Sequence, residues 1–478
     1  MTPSLTVRVE TDSLGSIEVD AERYWGPQTE RARRLFQIGT ERFPPSFIHA
    51  FGLQKRAAAE ANAALGELPD GLARPIIAAA QEIADGMHDQ EFPLPVWQTG
   101  SGTQTNMNAN EVIASRANEM LGHPRGSRQP VHPNDHVNRG QSSNDSFPTV
   151  MHIAAARSTL DLIAALGELR AILALRAAEW AGVVKVGRTH MMDAVPMTLG
   201  QEFNAFARQA ELGIARLRDA LERVYPLAQG GTAVGTGLNR HPDFPRLFRE
   251  RIAALTGLPF MVNDNPFEGM GAHDALVELS GVLNVIAVSL NKLGNDVRLL
   301  GSGPRCGIGE LIVPEDGLAS SIMPGKTNPT QSEVLTMVCA QVVGNHVAVT
   351  IAGSQSFLQL NVFKPVIIHN VLQSCRLLRD AARSFGQNMV EKLQPDLGRI
   401  AAYVENAPML VAALAPHIGY DKAVAIGRHA ITHRVSLRSA AAELGLVTER
   451  DFDRWVDPAS MAQPGAFLAP RSSSPPRE

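Results

Sequence analysis

Four polar segments, expected to be loops that interrupt the helices, are rich in residues that donate hydrogen bonds to a small anion. Each combines glycine or serine with threonine, asparagine, histidine or lysine. Hydroxyl, amide and ammonium groups suit carboxylate ligands, because all of them can donate to an oxygen that carries negative charge. The segments are Gly100–Asn110, Gln141–Thr149, Gln229–Asn239 and Gly301–Pro329.

The last of these segments leads into an expected helix. Asn328 is suited to the N-cap position, Pro329 to the first helical position and Gln331 to the third. Lys326 and Asn328 would then lie at the positive end of the helix dipole, which favours a bound carboxylate. The alternative is that Asn328 serves only as the N-cap of the helix. That interpretation does not account for Lys326, which is not needed for capping.

Nucleotide sites fit the glycine-rich segments poorly. The glycines of Gly301–Gly307 follow the pattern GxGxxxG, but they come after an expected helix and a proline lies among them. Gly325-Lys326-Thr327 ends like a Walker A motif, yet Ser320 occupies the position of its first glycine. We therefore expect no dinucleotide fold and no phosphate-binding loop.

Metal sites are also disfavoured. His132 and His136 are four residues apart, but Pro133 and Asn134 favour a turn and no third ligand is evident. An iron–sulfur cluster on three distant cysteines is the minority interpretation, because no CxxC pair exists. We expect no metal, no cofactor and a reduced, cytoplasmic chain. The cysteines are Cys306, Cys339 and Cys375.

Composition narrows the class of protein. The 478 residues carry 44 Lys and Arg against 48 Asp and Glu, so a nucleic-acid partner is not expected. Hydrophobic residues make up 44% and aromatic residues only 5%, which favours close-packed helices. With no secretory pattern at the N-terminus and no run of about 18 apolar residues, no membrane partner is expected. The tail Pro470–Glu478 has a composition typical of disorder.

Long buried helices are the main elements expected. Leu279–Leu300 carries a helical apolar stripe, and Val285, Val288 and Leu300 make its opposite face apolar as well. Thr159–Trp180 and Val334–Ile351 follow the same pattern, so we expect a bundle that packs between subunits. Short helices are expected before and after it. Domain boundaries are predicted near residues 141 and 397, which gives domains 1–141, 142–397 and 398–478. The stripe comprises Leu279, Val282, Leu283, Ile286, Leu290, Leu293 and Val297.

Three motifs give the chain a family resemblance. They are Gly187-Arg-Thr189-His190-Met-Met-Asp193-Ala-Val-Pro, His132-Pro-Asn134-Asp135 with Gln141-Ser142-Ser143-Asn144-Asp145, and Ser320-Ser321-Ile-Met-Pro-Gly325-Lys326-Thr-Asn328-Pro. With them the chain resembles the fumarase/aspartase lyase superfamily and, within it, the class II fumarate hydratases. The resemblance extends from Gly26 to Lys422.

The resemblance implies a fold, an assembly and a reaction. The fold is mainly α, with three domains, a long central helical bundle and a twenty-helix core in a homotetramer whose active sites are shared between three subunits. The reaction is the reversible anti addition of water to fumarate, giving (S)-malate, in the tricarboxylic acid cycle. It passes through C3 proton abstraction and an aci-carboxylate intermediate, and it needs no iron.

The resemblance also assigns roles to residues. Ser320 is the implied base, His190 acts on the departing water, and Glu333 is the carboxylate partner of that histidine. Without the resemblance, Ser320 reads as a loop hydroxyl bonded to backbone, and Glu333 as a helix-surface acid. The implied ligands of the substrate carboxylates are Ser101, Gly102, Thr103, Ser142, Ser143, Asn144, Thr189, Ser321, Lys326, Thr327 and Asn328. A second dicarboxylate site is implied at His132, Pro133, Asn134 and Asp135.

Some residues depart from the family pattern, and two rivals remain. Gln129 replaces a basic residue of the second site in some members, and Ala319, Thr327 and Gln359 replace a usual glycine, valine and glutamate. The closest rival is aspartate ammonia-lyase, which usually has glutamine at the position of His190. The other is an inactive structural relative of the crystallin kind.

Overall fold

The structure is a computed structural model that describes residues 6–318 and 322–463. It is 62% helical, which confirms the expected mainly α fold. Ala319, Ser320, Ser321 and the tail Pro470–Glu478 lie outside the described residues, so the predictions made for them stay predictions.

Helices of very different lengths make up most of the described chain, and the strands are short and occur in pairs. The helices are α1 (Pro27–Leu35), α2 (Pro45–Ala64), α3 (Asp70–Ala84), α4 (Thr103–Met120), α5 (Ser143–Glu179), α6 (Leu199–Val224), α7 (Phe244–Thr256), α8 (Pro266–Gly271), α9 (Asp274–Leu300), α10 (Thr330–Ser354), α11 (Lys364–Asn388), α12 (Leu397–Glu405), α13 (Ala415–Ile418), α14 (Tyr420–His433), α15 (Leu437–Glu443), α16 (Glu449–Trp455) and α17 (Pro458–Met461). The strands are β1 (Val7–Asp12), β2 (Gly15–Asp20), β3 (Val184–Thr189), β4 (Met192–Thr198), β5 (Pro226–Leu227), β6 (Met261–Val262), β7 (Leu311–Ile312), β8 (Ser356–Phe357), β9 (Leu360–Asn361) and β10 (Gln394–Pro395).

The chain divides into two compact units. The five helices of 25 or more residues, α5, α6, α9, α10 and α11, contribute residues to both units. The three predicted domains follow chain order instead and stay a prediction. Unit 1 takes in the described part of Met1–Ala164, with Ile214–Ala287 and Val338–Arg379; unit 2 takes in Ala165–Gly213 and the described parts of Val288–Met337 and Asp380–Glu478.

In unit 1, α2 packs against α3 and α7, and aromatic side chains fill the core beside α2. The rings of Phe47 and Phe147 lie 5.3 Å apart, and those of Phe47 and Phe51 lie 5.5 Å apart, both edge to face. Edge-to-face contact places the positive rim of one ring against the negative face of the other. Phe147 belongs to α5, so this cluster fixes the first turns of that helix beside α2.

In unit 2, the antiparallel hairpin β3–β4 packs on the small C-terminal helices. Val186 of β3 shares a buried cluster with Leu410, Ile426 and Leu437. Because alternate strand residues point to opposite faces, burying Val186 fixes which face of the hairpin is turned to the core. The tip of the hairpin carries Thr189 and His190 and is exposed.

The long apolar helices form where the sequence predicts them. The predicted stripe of α9 is buried, with Val282 only partly so. On the opposite face Leu300 is buried as well, but Val285 and Val288 are 42% and 59% exposed within the chain. On α10, the exposed fractions of Met337 and Ile351 are 64% and 56%. Each helix therefore has an uncovered apolar face.

The same two helices, α9 and α10, are long and apolar enough to cross a membrane by length and composition alone. That criterion is weak, because core helices of soluble proteins meet it too. Both helices also carry charged or polar side chains, among them Lys292, Asp296 and Asn345. The expectation of no membrane partner therefore stays an expectation.

Two predicted loops are instead helix starts. Helix α4 begins at Thr103 and α5 at Ser143, so most of Gly100–Asn110 and Gln141–Thr149 is helical. Some polar side chains of these segments have partners inside the fold: Asn108 Nδ2 donates to the carbonyl of Glu91 at 2.9 Å, and Thr149 Oγ1 donates to that of Asp145 at 2.7 Å. The buried side-chain oxygens of Asn106, Asn108 and Asn110 have no hydrogen-bond partner among the described residues. Pro148 lies near the N-terminus of α5, where few helical hydrogen bonds are lost to it.

The predicted cap of α10 is also wrong by one residue. The carbonyl of Pro329 accepts the first helical hydrogen bond, from the amide of Glu333, so Pro329 and not Asn328 is the N-cap. Gln331 Oε1 accepts from Ser384 Oγ at 2.7 Å rather than capping the helix. A tertiary hydrogen bond thus replaces the local one that the sequence pattern predicts.

Candidate active site

The start of α4 carries three of the predicted anion ligands. Gly102 has φ of +76°, and a Cβ there would lie 2.1 Å from the ring of Phe147, so only glycine fits. The hydroxyls of Ser101 and Thr103 are hydrogen-bonded to each other at 2.7 Å. Gln98 Oε1 accepts from the amide of Thr105 at 3.1 Å and caps the helix. The first helical N–H groups and two hydroxyls therefore come together at one helix end.

The start of α5 carries three more ligands. The carbonyl of Ser142 accepts from the amide of Ser146 at 3.0 Å, which makes Ser142 the N-cap. Ser142 Oγ accepts from the amide of Asn144 at 3.1 Å, so its own hydroxyl hydrogen is available to a ligand. The side chain of Asn144 is fixed by donating to the carbonyl of Ala233 at 2.8 Å.

Asp145 is a buried carboxylate that the sequence analysis missed as a site residue. It accepts from the amides of Ser142, Gly230 and Thr232, each at 2.9 Å. Burial raises the pKa of Asp145 to about 6, although those three amides and the charge of Lys55 oppose the rise. The spacing S-x-x-D before an apolar run is the pattern of a capping box and could have identified this residue.

Asn106 links the two helix starts in unit 1. Its Nδ2 donates to Ser143 Oγ at 3.1 Å and to Asn138 Oδ1 at 3.3 Å. The structure therefore brings together, within one unit, the predicted ligands Ser101, Gly102, Thr103, Ser142, Ser143 and Asn144.

The predicted second site is a helical turn, Pro133–Val137, preceded by His132. Nη2 of Arg128 lies 2.9 Å from Nε2 of His132, and the carboxylate of Asp135 lies 3.1 Å from its Nδ1. A guanidinium can only donate, so Nε2 of His132 faces a donor in Arg128, and Nδ1 lies 3.2 Å from the amide nitrogen of Asp135, which donates to it. Burial lowers the pKa of His132, Asp135 raises it, and Arg128 lowers it. Arg128 is thus a basic group beside Gln129 that the sequence analysis did not single out.

The hairpin tip in unit 2 holds two residues in an unusual conformation. His190 and Met191 have φ of +55° and +62°, and Thr189 pairs with Met192 across a two-residue turn. Hairpins of this length normally place asparagine or glycine at such positions. Each non-glycine residue held there costs on the order of 1–3 kcal/mol, and such strain is concentrated at functional sites. The turn holds the exposed ring of His190 at the hairpin tip.

A buried ion cluster fixes the base of that hairpin. Glu310, fully buried, lies 2.8 Å from Nη1 of Arg188 and 2.9 Å from Nζ of Lys185. Lys185 also donates to Glu202 at 2.7 Å. The cluster ties β3 to the segment that begins at Gly301. Loss of one partner would leave an uncompensated buried charge, which is strongly destabilising.

That segment is fixed near its start by two side chains of α12. Tyr403 Oη donates to the carbonyl of Ile308 at 2.8 Å, and Arg399 Nη2 donates to that of Gly307 at 3.0 Å. Further along, Lys326 is exposed, and Thr327 and Asn328 are half-buried. Ser320 and Ser321 lie outside the described residues.

Glu333 and His190 are not brought into contact in the described part of unit 2. Both side chains are exposed, and neither has a hydrogen bond or an ion pair among the described residues. Their predicted pairing stays a prediction. Among the described residues there is also no group of three or more His, Cys, Asp or Glu side chains placed to hold a metal ion.

Each unit, taken by itself, carries groups suited to an anion. Unit 1 has hydroxyl, amide and helix N-terminal donors, and unit 2 has the exposed side chains of Lys326 and His190. Donors of this kind favour a carboxylate whose charge increases during a reaction.

Comparison with known proteins gives a consistent result along the chain. A family described as Lyase matches residues 15–344, and one described as Fumarase C C-terminus matches residues 410–463. The chain is 57% identical over 459 residues to fumarate hydratase class II 2 of Bradyrhizobium diazoefficiens, covering 96% of this chain and 97% of the relative.

Solved structures agree with the sequence comparison. Class II fumarase from Schistosoma mansoni superposes with a TM-score of 0.94 at 44% identity, covering 96% of this chain and 100% of that one. A fumarate lyase:delta crystallin structure from Brucella melitensis, bound to cobalt, gives a TM-score of 0.93 at 39% identity, with the same coverage.

Proposed function

The chain belongs to the class II fumarate hydratases, and we propose that it catalyses the reversible anti addition of water to fumarate, giving (S)-malate. The observation that carries this is the 57% identity to a class II fumarate hydratase across 96% of the chain. The protein is accordingly a lyase that adds and removes water. A dicarboxylate substrate agrees with the donors gathered at the starts of α4 and α5.

The reaction requires a strong base and a site for extra negative charge. Removing the C3 proton of malate creates a carbanion beside a carboxylate, which is stabilised as an aci-form dianion. The donors at the starts of α4 and α5 are suited to a carboxylate, and Lys326 is a further ligand that the family motif implies for the assembled site. Hydrogen bonds that strengthen as the charge grows lower the barrier more than bonds that only hold the substrate.

Three side chains carry the proposed proton transfers. Ser320 is the base, and its alkoxide would be stabilised by Lys326 and by amide groups of its loop. His190 acts on the departing water, and Glu333 is its carboxylate partner in the assembled site. The support for Ser320 is the motif Ser320-Ser321-Ile-Met-Pro-Gly325-Lys326. The support for His190 is its strained and exposed position at the hairpin tip.

Aspartate ammonia-lyase is the closest alternative. His190 argues against it, because expulsion of water benefits from an imidazole whereas an ammonium leaving group needs no acid. The test is ultraviolet absorbance of the fumarate double bond, with malate or aspartate supplied to the purified protein and no iron added. Malate should produce the signal with EDTA present. A signal with aspartate but not with malate would contradict the proposal. An assembled protein that is inactive with both would favour the alternative of a structural protein of the crystallin kind.

The proposed assembly is a homotetramer with active sites shared between three subunits. Its support is the uncovered apolar faces of α9 and α10, which include Val288 and Met337. Soluble monomers rarely expose large contiguous apolar patches. We also propose a cytoplasmic location, supported by three free thiols, Cys306, Cys339 and Cys375. Sedimentation and cell fractionation test these two points.

A further inference from the structure

Lys55 is a fully buried lysine at the starts of the anion-binding helices. It lies in the middle of α2 in unit 1, and no part of it is exposed. Its Nζ donates to Gln141 Oε1 at 2.9 Å and to Asn138 Oδ1 at 3.1 Å. Burying an ammonium is costly, and side-chain amides rather than a carboxylate are its direct partners here. Its position therefore calls for an explanation beyond packing.

The ammonium and nearby backbone carbonyls together set the direction of the amides around it: Asn138 Nδ2 donates to the carbonyl of Gln141 at 3.1 Å, and Gln141 Nε2 donates to that of Val137 at 3.0 Å. Because the ammonium can only donate, Asn138 and Gln141 must both present their oxygens to it. The oxygen of Asn138 also accepts from Nδ2 of Asn106 at 3.3 Å and from Nδ2 of Asn110 at 3.2 Å. The amide orientation of Asn106 is thus fixed by Lys55 through Asn138.

The last step of this relay reaches a predicted substrate ligand. Asn106 directs its other N–H to Ser143 Oγ at 3.1 Å. A serine oxygen that accepts a hydrogen bond keeps its own O–H free to donate. Ser143 is half-buried at the first position of α5, beside Ser142 and Asn144. Its free hydrogen can therefore be given to a carboxylate at the helix start.

We propose that Lys55 is a positioning residue that, through Asn138 and Asn106, holds the Ser143 hydroxyl as a donor to a substrate carboxylate. This rests on the proposed function, since it takes Ser143 to be a ligand of the dicarboxylate. Reversing any amide of the relay would place two donors or two acceptors face to face. Lys55 opposes that reversal together with the carbonyl of Gln141, and its charge also favours an anion at the same place.

Asp145 is the charged group that acts on Lys55. Burial lowers the pKa of Lys55 to about 7, and the charge of Asp145 partly opposes this. The pKa of Asp145 is about 6. Each charge favours the ionised form of the other, so binding is measured at one fixed pH near neutrality for all variants.

The test is a double-mutant cycle on the binding of succinate, a dicarboxylate that cannot react. Calorimetry would give the dissociation constant for the wild type, Lys55→Met, Ser143→Ala and the double variant. Loss of a hydrogen bond to a charged group should weaken binding about 10- to 100-fold in Lys55→Met. The double variant should bind within about 3-fold of the weaker single variant, because both changes remove the same contact.

Kinetics add a measurement that a purely structural role would not produce. Lys55→Met should raise KM for fumarate while kcat changes by less than about 3-fold. This is the pattern expected when a contact is lost that stabilises the bound substrate and the transition state equally. Lys364→Met is the matched control. Lys364 is a second fully buried lysine of unit 1, and its Nζ donates to the carbonyl of Asn361 at 2.6 Å, outside the relay. That variant should bind succinate within about 2-fold of the wild type.

Three outcomes would overturn the proposal: additive effects in the cycle, normal succinate binding by Lys55→Met, or equal weakening in Lys364→Met. If Lys55→Met does not fold, Asn106→Ala takes its place in the same cycle, because it breaks the final step to Ser143. Failure of the proposed function would be seen separately, as a wild-type protein that binds succinate but does not hydrate fumarate.

Discussion

The proton transfers proposed for Ser320 and His190 are different, so substitutions of the two residues should have different effects on the reaction. Ser320→Ala should lower kcat about 10²- to 10⁴-fold, the usual worth of one positioned acid–base group, while succinate affinity changes little. His190→Asn should also slow turnover, and it should weaken an inhibitor that mimics the aci-carboxylate if the imidazole contacts it. Steady-state rates and inhibition constants measure both. A near-normal rate in Ser320→Ala would contradict the assignment of the base.

Buried lysines give the stability a distinctive dependence on pH. Burial lowers the pKa of both Lys55 and Lys364 to about 7, so the folded protein binds these protons more weakly than the unfolded chain. The free energy of unfolding is therefore unaffected by these two lysines above the ordinary lysine pKa, and it decreases as the pH falls from there through about 7.

The thermal midpoint should therefore decline between about pH 9.5 and about pH 7, and Lys364→Met should flatten the decline. Scanning calorimetry at fixed protein concentration measures it. A slope that is the same in the variant would show that Lys364 keeps an ordinary pKa. Asp145 acts in the opposite sense and at lower pH: its pKa is raised to about 6, so its stabilising effect is lost as the pH rises through that value.

The candidate site residues lie on motifs that the sequence shows directly, whereas the residues that contact and position them carry no such signal. Ser142, Ser143 and Asn144 share a contiguous motif. Lys55 is 83 residues before Asn138 and lies in an alanine-rich helix where a lysine reads as a surface charge. Its burial follows only from the packing of α2. Asp145 is the exception, because its capping-box spacing was visible locally.

Among the elements, the start of α4 depends on one glycine. Gly102→Ala adds a Cβ that meets the ring of Phe147 at 2.1 Å in a positive-φ position, and should destabilise by more than about 3 kcal/mol. Gly257→Ala is the matched control, with φ of +70° at the end of α7 and open space around it. It should cost only about 1 kcal/mol. Thermal unfolding of the two variants tests this, and equal losses would mean that Phe147 moves aside.

Helix existence was easier to predict than helix starts. The helix α9 is predicted from an apolar stripe of many residues, so the prediction does not depend on any single one of them. The start of α10 depends on a single choice between Asn328 and Pro329, and the contact from Ser384 to Gln331 overrides the local capping pattern. The start of α5 was placed too late because Pro148 and the polar run around it resemble a loop.

At the scale of the whole molecule, the uncovered faces of α9 and α10 should hold the subunits together. Ile351→Glu places a charge on the exposed apolar face of α10 and should dissociate the assembly and abolish activity, because an unpaired charge is costly to bury. Leu14→Glu is the control: Leu14 is 69% exposed in the turn between β1 and β2. Sedimentation at the assay concentration measures both, and an active monomer would contradict the shared-site assembly.

The placement of the thiols offers a way to observe the segment that leads to Ser320. Burial raises the pKa of Cys339 and Cys375 to about 12, so neither offers a thiolate at neutral pH, whereas Cys306 is exposed on the segment that leads to Ser320. A maleimide dye should therefore attach at one position per chain without any engineering. Its fluorescence would report, in real time, on the segment that carries the proposed base as dicarboxylate binds and leaves.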